Sequence, residues 1–403
     1  MSSPATSDMK EKITCNGFQA AGIEAGIKKN DRKDLGLICA EKPAVVAGVF
    51  TANRVQAAPV LLDKQRITSK RCQAIVVNSG NANCCTGAQG LEDAAAMADS
   101  VADALGIAPE LVMVASTGVI GEPLPVGKIQ TAAPQLVHAL RPDGFSDLAE
   151  AIMTTDTVPK LLSTDGQVDG RPYTITAVAK GAGMIRPDMA TMLGFVCSDI
   201  DISADMLQRV LRSAAANSFN RITIDGDTST NDTVLLMASG LSGAQVRTEA
   251  HYDSFRQTLE DLFIRLARMI VKDGEGVTKL VDIVVKGARN NEDARRIADT
   301  VSHSNLVKTA FYGEDANWGR IIAAAGRAGV ALDPDTIDIF FNDVQMVKNG
   351  IGCGKKIEAK ATAVLQKSEF TVTVDLHQGP GRAAVITCDF SIDYVKINAD
   401  YRT

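Results

Sequence analysis

Metal-ligand and disulfide patterns are missing from this chain of 403 residues. Its eight cysteines (15, 39, 72, 84, 85, 197, 353 and 388) include no Cys-x-x-Cys pair, and its four histidines (138, 251, 303 and 377) have no ligand spacing. Thiols scattered in this way read as small core hydrophobes in a reducing compartment. The histidines read as structural or exposed, so no metal site is expected. A basic excess is also lacking: 42 Lys and Arg stand against 48 Asp and Glu, a net charge of −6. Nucleic-acid binders normally carry the opposite imbalance, so no nucleic-acid partner is expected. Long apolar runs are absent, and the stretch 111–120 stops well short of the roughly 20 residues that cross a bilayer. The opening MSSPATSDMKEKITCNG has neither the apolar core of a signal peptide nor an Arg-rich transit pattern. The expectation is a soluble cytoplasmic protein with no membrane partner.

Several catalytic motifs are excluded as well. There is no Gly-x-Ser-x-Gly elbow, no His-Glu-x-x-His and no complete phosphate loop; Gly350-Ile-Gly-Cys-Gly-Lys-Lys has the wrong spacing and no final Ser or Thr. Asp225-Gly-Asp-Thr-Ser-Thr-Asn-Asp has the look of a calcium loop, but Thr230 stands where the sixth-position Gly belongs and Leu236 where the bidentate Glu belongs.

What is present is an alternation of two periods. Runs of β-branched and apolar residues at 73–78, 173–179, 192–200, 234–238, 281–286, 336–341, 370–376 and 384–390 predict strands. Helical spacing predicts helices at 91–105, 204–215, 253–272, 291–301 and 321–328. In the first, Leu91, Ala94, Ala95, Ala98, Val101, Ala102 and Leu105 share a face. In 253–272 the stripe is Phe255, Leu259, Leu262, Phe263, Leu266, Ile270 and Val271. Strands mixed with helices throughout give an α/β layered fold. The charged stretch after Gly287 suggests two domains, 1–282 and 283–403.

The chemistry concentrates in Lys180-Gly-Ala-Gly-Met-Ile-Arg-Pro-Asp-Met-Ala-Thr, where a glycine turn leads into Ala190-Thr191 and a strand follows at once. A Thr hydroxyl held against the preceding carbonyl can attack it, shift the acyl group from nitrogen to oxygen, and open the chain by hydrolysis. The new terminal amine, with a reference pKa near ~7.7–8.0, can then serve as base for the hydroxyl of the same residue. On residue types alone, an ordinary Thr at a loop-to-strand junction is the favoured reading of the segment, since a Thr near a turn is common.

The run resembles the self-cleavage site of the ornithine acetyltransferase family, the glutamate N-acetyltransferases of arginine biosynthesis. The likeness continues through Gly48-Val-Phe-Thr-Ala-Asn-Arg, Asn78-Ser-Gly-Asn-Ala-Asn, Ser116-Thr-Gly-Val-Ile-Gly, Met153-Thr-Thr-Asp-Thr, Asp273-Gly-Glu-Gly, Tyr312-Gly-Glu-Asp-Ala-Asn-Trp-Gly-Arg and Asp393-Tyr-Val-Lys-Ile-Asn-Ala-Asp-Tyr-Arg-Thr. Cys84 stands in a slot that is often Ala in the family. The resemblance implies an αββα sandwich in the larger domain and a smaller C-terminal α/β domain. It implies cleavage between Ala190 and Thr191 into two associated fragments, usually paired again as an α2β2 heterotetramer. It implies ping-pong acetyl transfer from N-acetylornithine to glutamate through Thr191, without a cofactor, and with acetyl-CoA as a second donor in many bacterial members.

Site roles follow from the same resemblance. Thr117 and Gly118 match the oxyanion-hole pair; read without the family, they are equally a tight turn after an apolar strand. Thr154, Lys180, Thr191, Glu275, Asn398 and Thr403 match substrate-binding positions. Lys180 suits an α-carboxylate, and Glu275 suits the amines of ornithine. Asn398 and Thr403 require the polar tail to fold back over the site, where composition alone favours a frayed end. Thr155 is an alternative to Thr154. Arg186 and Asp188 are expected to shape the scissile junction without taking part in transfer. An N-terminal-Thr aminopeptidase or amidohydrolase, which would pass the acyl group to water, is the competing enzyme; a non-catalytic anion-binding protein is the competing non-enzyme.

Overall fold

A computed structural model describes residues 12–29, 31–186 and 192–400. Eight strands come first in the chain: β1 (Phe18–Ile23), β2 (Leu35–Phe50), β3 (Arg71–Asn81), β4 (Val112–Val119), β5 (Lys160–Val168), β6 (Arg171–Lys180), β7 (Leu193–Ser198) and β8 (Thr233–Ala238). They are hydrogen-bonded in the order β4-β3-β2-β8-β7-β6-β5, with β1 also beside β2. The bend in this sheet lies in β2. Its first half pairs with β1 and with β3 as far as Cys39↔Ala74, and its last six residues, Val45 to Phe50, pair with β8. Between them the β3 register shifts across Glu41-Lys42-Pro43, a place where a proline without an N–H is tolerated.

The bend folds one half of the sheet over the other. Alternate side chains of β3 and β4 (Ile75, Val77, Met113, Ala115) meet Val178, Phe195, Cys197, Leu235 and Met237 of β6, β7 and β8 in a central core. The intervening residues point outward. Val76 and Val114 pack under the helices Gly87–Leu105 and Val126–His138. Ala177, Val196 and Leu236 pack under Ala204–Asn217 and Glu249–Lys272. Period-2 alternation between two covered faces is what makes the layers αββα.

Strands β9 (Leu280–Ala288), β10 (Asp338–Phe341), β11 (Val344–Lys348), β12 (Ile351–Gly352), β13 (Glu369–Asp375) and β14 (Gly381–Cys388) form a second sheet, ordered β12-β11-β10-β13-β9-β14. Only the β13–β9 pair is parallel. Helices including Asn291–Ser302, Trp318–Gly326 and Lys355–Leu365 cover one face around a separate core. The boundary expected at 282/283 falls inside β9, where Leu280 joins a sandwich core and Val281 the core of the second sheet.

Where periodicity was strong, position follows it: every residue of the stripe on Glu249–Lys272 is buried. That helix starts four residues before the expected 253 because the Thr248 hydroxyl accepts from the His251 N–H and caps it. Asn317 likewise starts Trp318–Gly326 ahead of the expected 321. The face on Gly87–Leu105 needs correction. Leu91 is 42 % exposed, and Asp93 and Met97 are buried instead, while Ala94, Ala98, Val101 and Ala102 stay on the buried face, so the stripe is rotated by a small fraction of a turn. The expectation that cysteines are core residues fails at Cys85 and Cys353, which are exposed.

Candidate active site

A cavity of about 270 Å³ opens where the C-terminal end of β4, the end of β6 and the start of β7 and β8 converge. Thr117 and Gly118 sit in β4 itself rather than in a turn after it, which corrects the turn reading. Gly118 lies opposite Gly80 of β3, with φ at +138°. A Cβ built on it would stand 2.3 Å from the Gly80 carbonyl carbon, so only glycine fits this approach. The strand end is held from behind by amides. The Ser116 hydroxyl donates to Asn78 Oδ1 (2.6 Å), and Asn231 Nδ2 donates to the carbonyls of Ser116 (2.8 Å) and Ala82 (2.6 Å). The Asn78-Ser-Gly-Asn-Ala-Asn run therefore acts as a buried brace for Thr117 and Gly118.

Lys180 ends β6 and is buried. Its Nζ donates to Thr154 Oγ1 at 2.7 Å and to Thr117 Oγ1 at 3.4 Å. Thr154 rather than Thr155 makes this contact, although both line the cavity. Asp156, two residues on, is the anion beneath them, 3.8 Å from Lys180 Nζ and 2.7 Å from the ammonium of fully buried Lys160. Lys160 also reaches Asp273 at 2.5 Å, and the Gly181 N–H donates to Asp156 Oδ1 at 2.7 Å. Burial alone would push the Asp156 carboxyl up; Lys180 and Lys160 outweigh it and hold it below the usual carboxylate range. Burial lowers the Lys180 pKa from its ordinary value, and Asp156 opposes that shift.

Glu275 follows the long helix and is 8 % exposed. Its N–H donates to the Ala182 carbonyl (2.8 Å), and its Oε2 accepts from Asn398 Nδ2 (2.8 Å). A Cβ on Gly183 would stand 2.6 Å from this carboxylate, so the glycine makes room for it. Asn398 belongs to the helix Ile392–Ala399, so this part of the tail does fold back onto the cavity. Asp225, from the stretch that fails as a calcium loop, accepts from the Met184 and Ile185 N–H groups and from the Tyr394 hydroxyl. It ties the glycine turn to the tail. Arg186 Nη2 lies 3.5 Å from Asp299, and its carbonyl accepts from Thr228 Oγ1. Asp188, Ala190, Thr191 and Thr403 lie outside the described residues.

Residue spacing did not single out Asp156, Lys160 or Asp232. Asp232 is 2 % exposed and lines the cavity from the start of β8. Burial drives its carboxyl well above the usual range, against the Met192 N–H, the Ser229 hydroxyl and Lys180. Thr51 and Asn53 of the Gly48–Arg54 motif fix this loop by hydrogen bonds to the carbonyls of Ser229 and Thr228. Among the described residues no cluster of three His, Cys, Asp or Glu could hold a metal, and no helix is long and apolar enough to cross a membrane.

An αββα sandwich with a buried cation and two buried carboxyls around one cavity defines an α/β enzyme for small charged molecules. The chain belongs to the ArgJ family, whose model matches residues 19–403. It is 54 % identical over 393 residues to the arginine biosynthesis bifunctional protein ArgJ of Geobacter sulfurreducens, covering 97 % of this chain and all of the relative. The protein of the same name from Syntrophotalea carbinolica is 51 % identical over 393 residues, with the same coverage. Among solved structures, the arginine biosynthesis bifunctional protein argJ of Bacillus halodurans is 42 % identical, with a TM-score of 0.48, over 50 % of this chain and 95 % of that one. The family resemblance read from the motifs is borne out, and it favours acetyl transfer over hydrolysis.

Proposed function

We propose that the protein is a self-processing acetyltransferase of arginine biosynthesis. It moves acetyl from N-acetylornithine to glutamate through acetyl-Thr191, giving ornithine and N-acetylglutamate. The observation that carries this reading is a family match over nearly the whole chain joined to a cavity that holds Lys180 and Glu275. N-acetylornithine carries an α-carboxylate and a side-chain ammonium, which suit those two charges in turn. Asn398 steadies the carboxylate of Glu275, and Thr154 steadies Lys180.

The reaction follows from these groups. After cleavage between Ala190 and Thr191, the free amine of Thr191 takes the proton of its own hydroxyl as the oxygen attacks the acetyl carbonyl. Negative charge on the carbonyl oxygen is met by Thr117 and Gly118, where one placed donor stabilises the transition state by about 3–4 kcal/mol. Ornithine leaves with the proton on its amine. Glutamate enters the same cavity, Lys180 takes its α-carboxylate, and its amine removes the acetyl group. Thr403 completes the binding set. The two fragments stay associated, paired again as α2β2, in the cytoplasm. The domains divide close to 282/283, at the start of β9. Acetyl-CoA serves as the second donor and no cofactor takes part, in line with the bifunctional name of the relatives.

Product analysis with N-acetylornithine, with and without glutamate, tests the reading. Ornithine and N-acetylglutamate in equal amounts, dependent on glutamate, are expected. Free acetate at the same rate in both reactions would point to the hydrolase. Consumption of acetyl-CoA with glutamate as sole acceptor tests the second donor.

A further inference from the structure

Self-cleavage, as read above, leaves one chemical gap. Before the chain opens, the nitrogen of Thr191 is an amide whose lone pair is delocalised into the preceding carbonyl. It cannot take the hydroxyl proton, so the first step needs another base. Among the described residues, three ionisable groups line the cavity: Lys180, Glu275 and Asp232. Lys180 is engaged by Asp156, 3.8 Å away, and its Nζ donates to Thr154. Glu275 is engaged by Asn398 on the tail helix.

Asp232 differs from both. It is 2 % exposed, and its Oδ2 is a buried oxygen with no hydrogen-bond partner among the described residues. A buried carboxyl oxygen normally has one, so the exception asks for a reason. Strand β8 lies parallel to β7, with Thr233 opposite Leu193, and the Thr233 N–H donates to the Met192 carbonyl at 3.1 Å. The residue before each pair is thus Asp232 on one strand and Met192 on the other. The Met192 N–H acts on the Asp232 carboxyl, and that nitrogen belongs to the peptide bond joining Thr191 to Met192. The topology therefore delivers a carboxyl with a vacant oxygen to the peptide next to the nucleophile.

We propose that Asp232 is the proton-transferring residue of self-cleavage. Its carboxylate takes the Thr191 hydroxyl proton while the oxygen bonds to the Ala190 carbonyl carbon. It then returns that proton to the Thr191 nitrogen as the carbon–nitrogen bond breaks. The result is an ester between the Ala190 acyl group and the Thr191 oxygen, and a free amine. Water cleaves the ester, leaving an Ala190 carboxylate and a Thr191 with both groups free. The elevated affinity of a buried carboxyl for a proton suits the role, because a stronger base accepts the hydroxyl proton more readily.

The test follows cleavage by intact mass in freshly purified wild type, Asp232→Asn, Asp232→Glu and Thr191→Ala, each checked for a cooperative melting transition. Asp232→Asn is expected to slow cleavage at least about 100-fold, the usual size of a lost general base. Asp232→Glu, which keeps a carboxyl, is expected to cleave slowly but measurably. Hydroxylamine, which opens esters, separates the steps: Asp232→Asn should stay whole in it, because the block precedes the ester. Cleavage of Asp232→Asn at the wild-type rate, its release by hydroxylamine, or a folded Asp232→Glu that stays whole would each overturn the proposal. An uncut wild type would instead refute the self-cleavage reading on which it rests.

Discussion

Lys160→Met removes a side chain that joins the two acidic groups beneath the cavity. Its ammonium is fully buried, 2.7 Å from Asp156 Oδ1 and 2.5 Å from Asp273 Oδ2, with the Val158 carbonyl at 3.4 Å. A methionine of similar length fills the space but supplies no donor. Asp156 would keep Lys180, at 3.8 Å, and the N–H groups of Thr154 and Gly181, and Asp273 would keep its contacts to the Thr157 N–H and hydroxyl. Breaking a buried ion pair by removing one partner costs about 3–5 kcal/mol, because the other charge is left without compensation. The same range is expected here, read from urea unfolding monitored on the sandwich. The adjacent reaction site should feel it too, since Asp156 would draw Lys180 Nζ away from Thr154, and the KM for N-acetylornithine should rise. A double variant provides the check on cause: Lys160→Met with Asp156→Asn should be less destabilised than the two single losses added together. A loss under about 1 kcal/mol, or strict additivity in the cycle, would refute a network that works through charge.

Gly118→Ala should lower acetyl transfer by about 10²–10³-fold through displacement of an oxyanion donor. It should also destabilise the fold by roughly 1–3 kcal/mol, because the new Cβ meets the Gly80 backbone; a variant with wild-type rate and stability would contradict the close approach. Glu275→Gln should raise the KM for N-acetylornithine about tenfold or more, the worth of a lost charged hydrogen bond. Glutamate, which lacks the side-chain ammonium, should be affected less, and equal effects on both substrates would remove the assigned role. Acid should weaken the protein through Asp156. Its folded pKa lies below its ordinary value of 3.8, so the unfolded chain takes the proton first, and stability present above that value is lost as pH falls through the folded one. Urea midpoints measured from about pH 6 down to pH 3 should fall less steeply in Asp156→Asn than in wild type.

How much of this was legible in the chain depended on whether the signal was local. The stripe on Glu249–Lys272 and the β-branched runs of β3, β6, β8 and β13 carry their own period, so they could be read directly. Strand β2 could not, since Glu41-Lys42-Pro43 interrupts the alternation just where the sheet bends. The helix Ala58–Arg66 is short and carries few large apolar residues, which leaves little periodicity to see. Lys180, Glu275, Thr117 and Asn398 line one cavity although they are far apart in sequence, and motif resemblance rather than physics had singled them out. Asp156 was hidden inside a quoted motif whose threonines drew attention first. Asp232 sat in a stretch tested and rejected as a calcium loop, and only the parallel pairing of β7 with β8 sets it beside Met192. Buried carboxyls of this kind have no spacing signature, because their partners come from other strands.

The central claim is that Thr191 carries the acetyl group between two amino acids. Its most direct test is the intact mass of purified protein after incubation with N-acetylornithine alone. The fragment beginning Thr-Met-Leu-Gly-Phe should gain one acetyl group and lose it when glutamate is added, while Thr191→Ala stays a single unmodified chain. An unmodified fragment in protein that turns over N-acetylornithine, or acetyl transfer by the Thr191→Ala chain, would contradict the account.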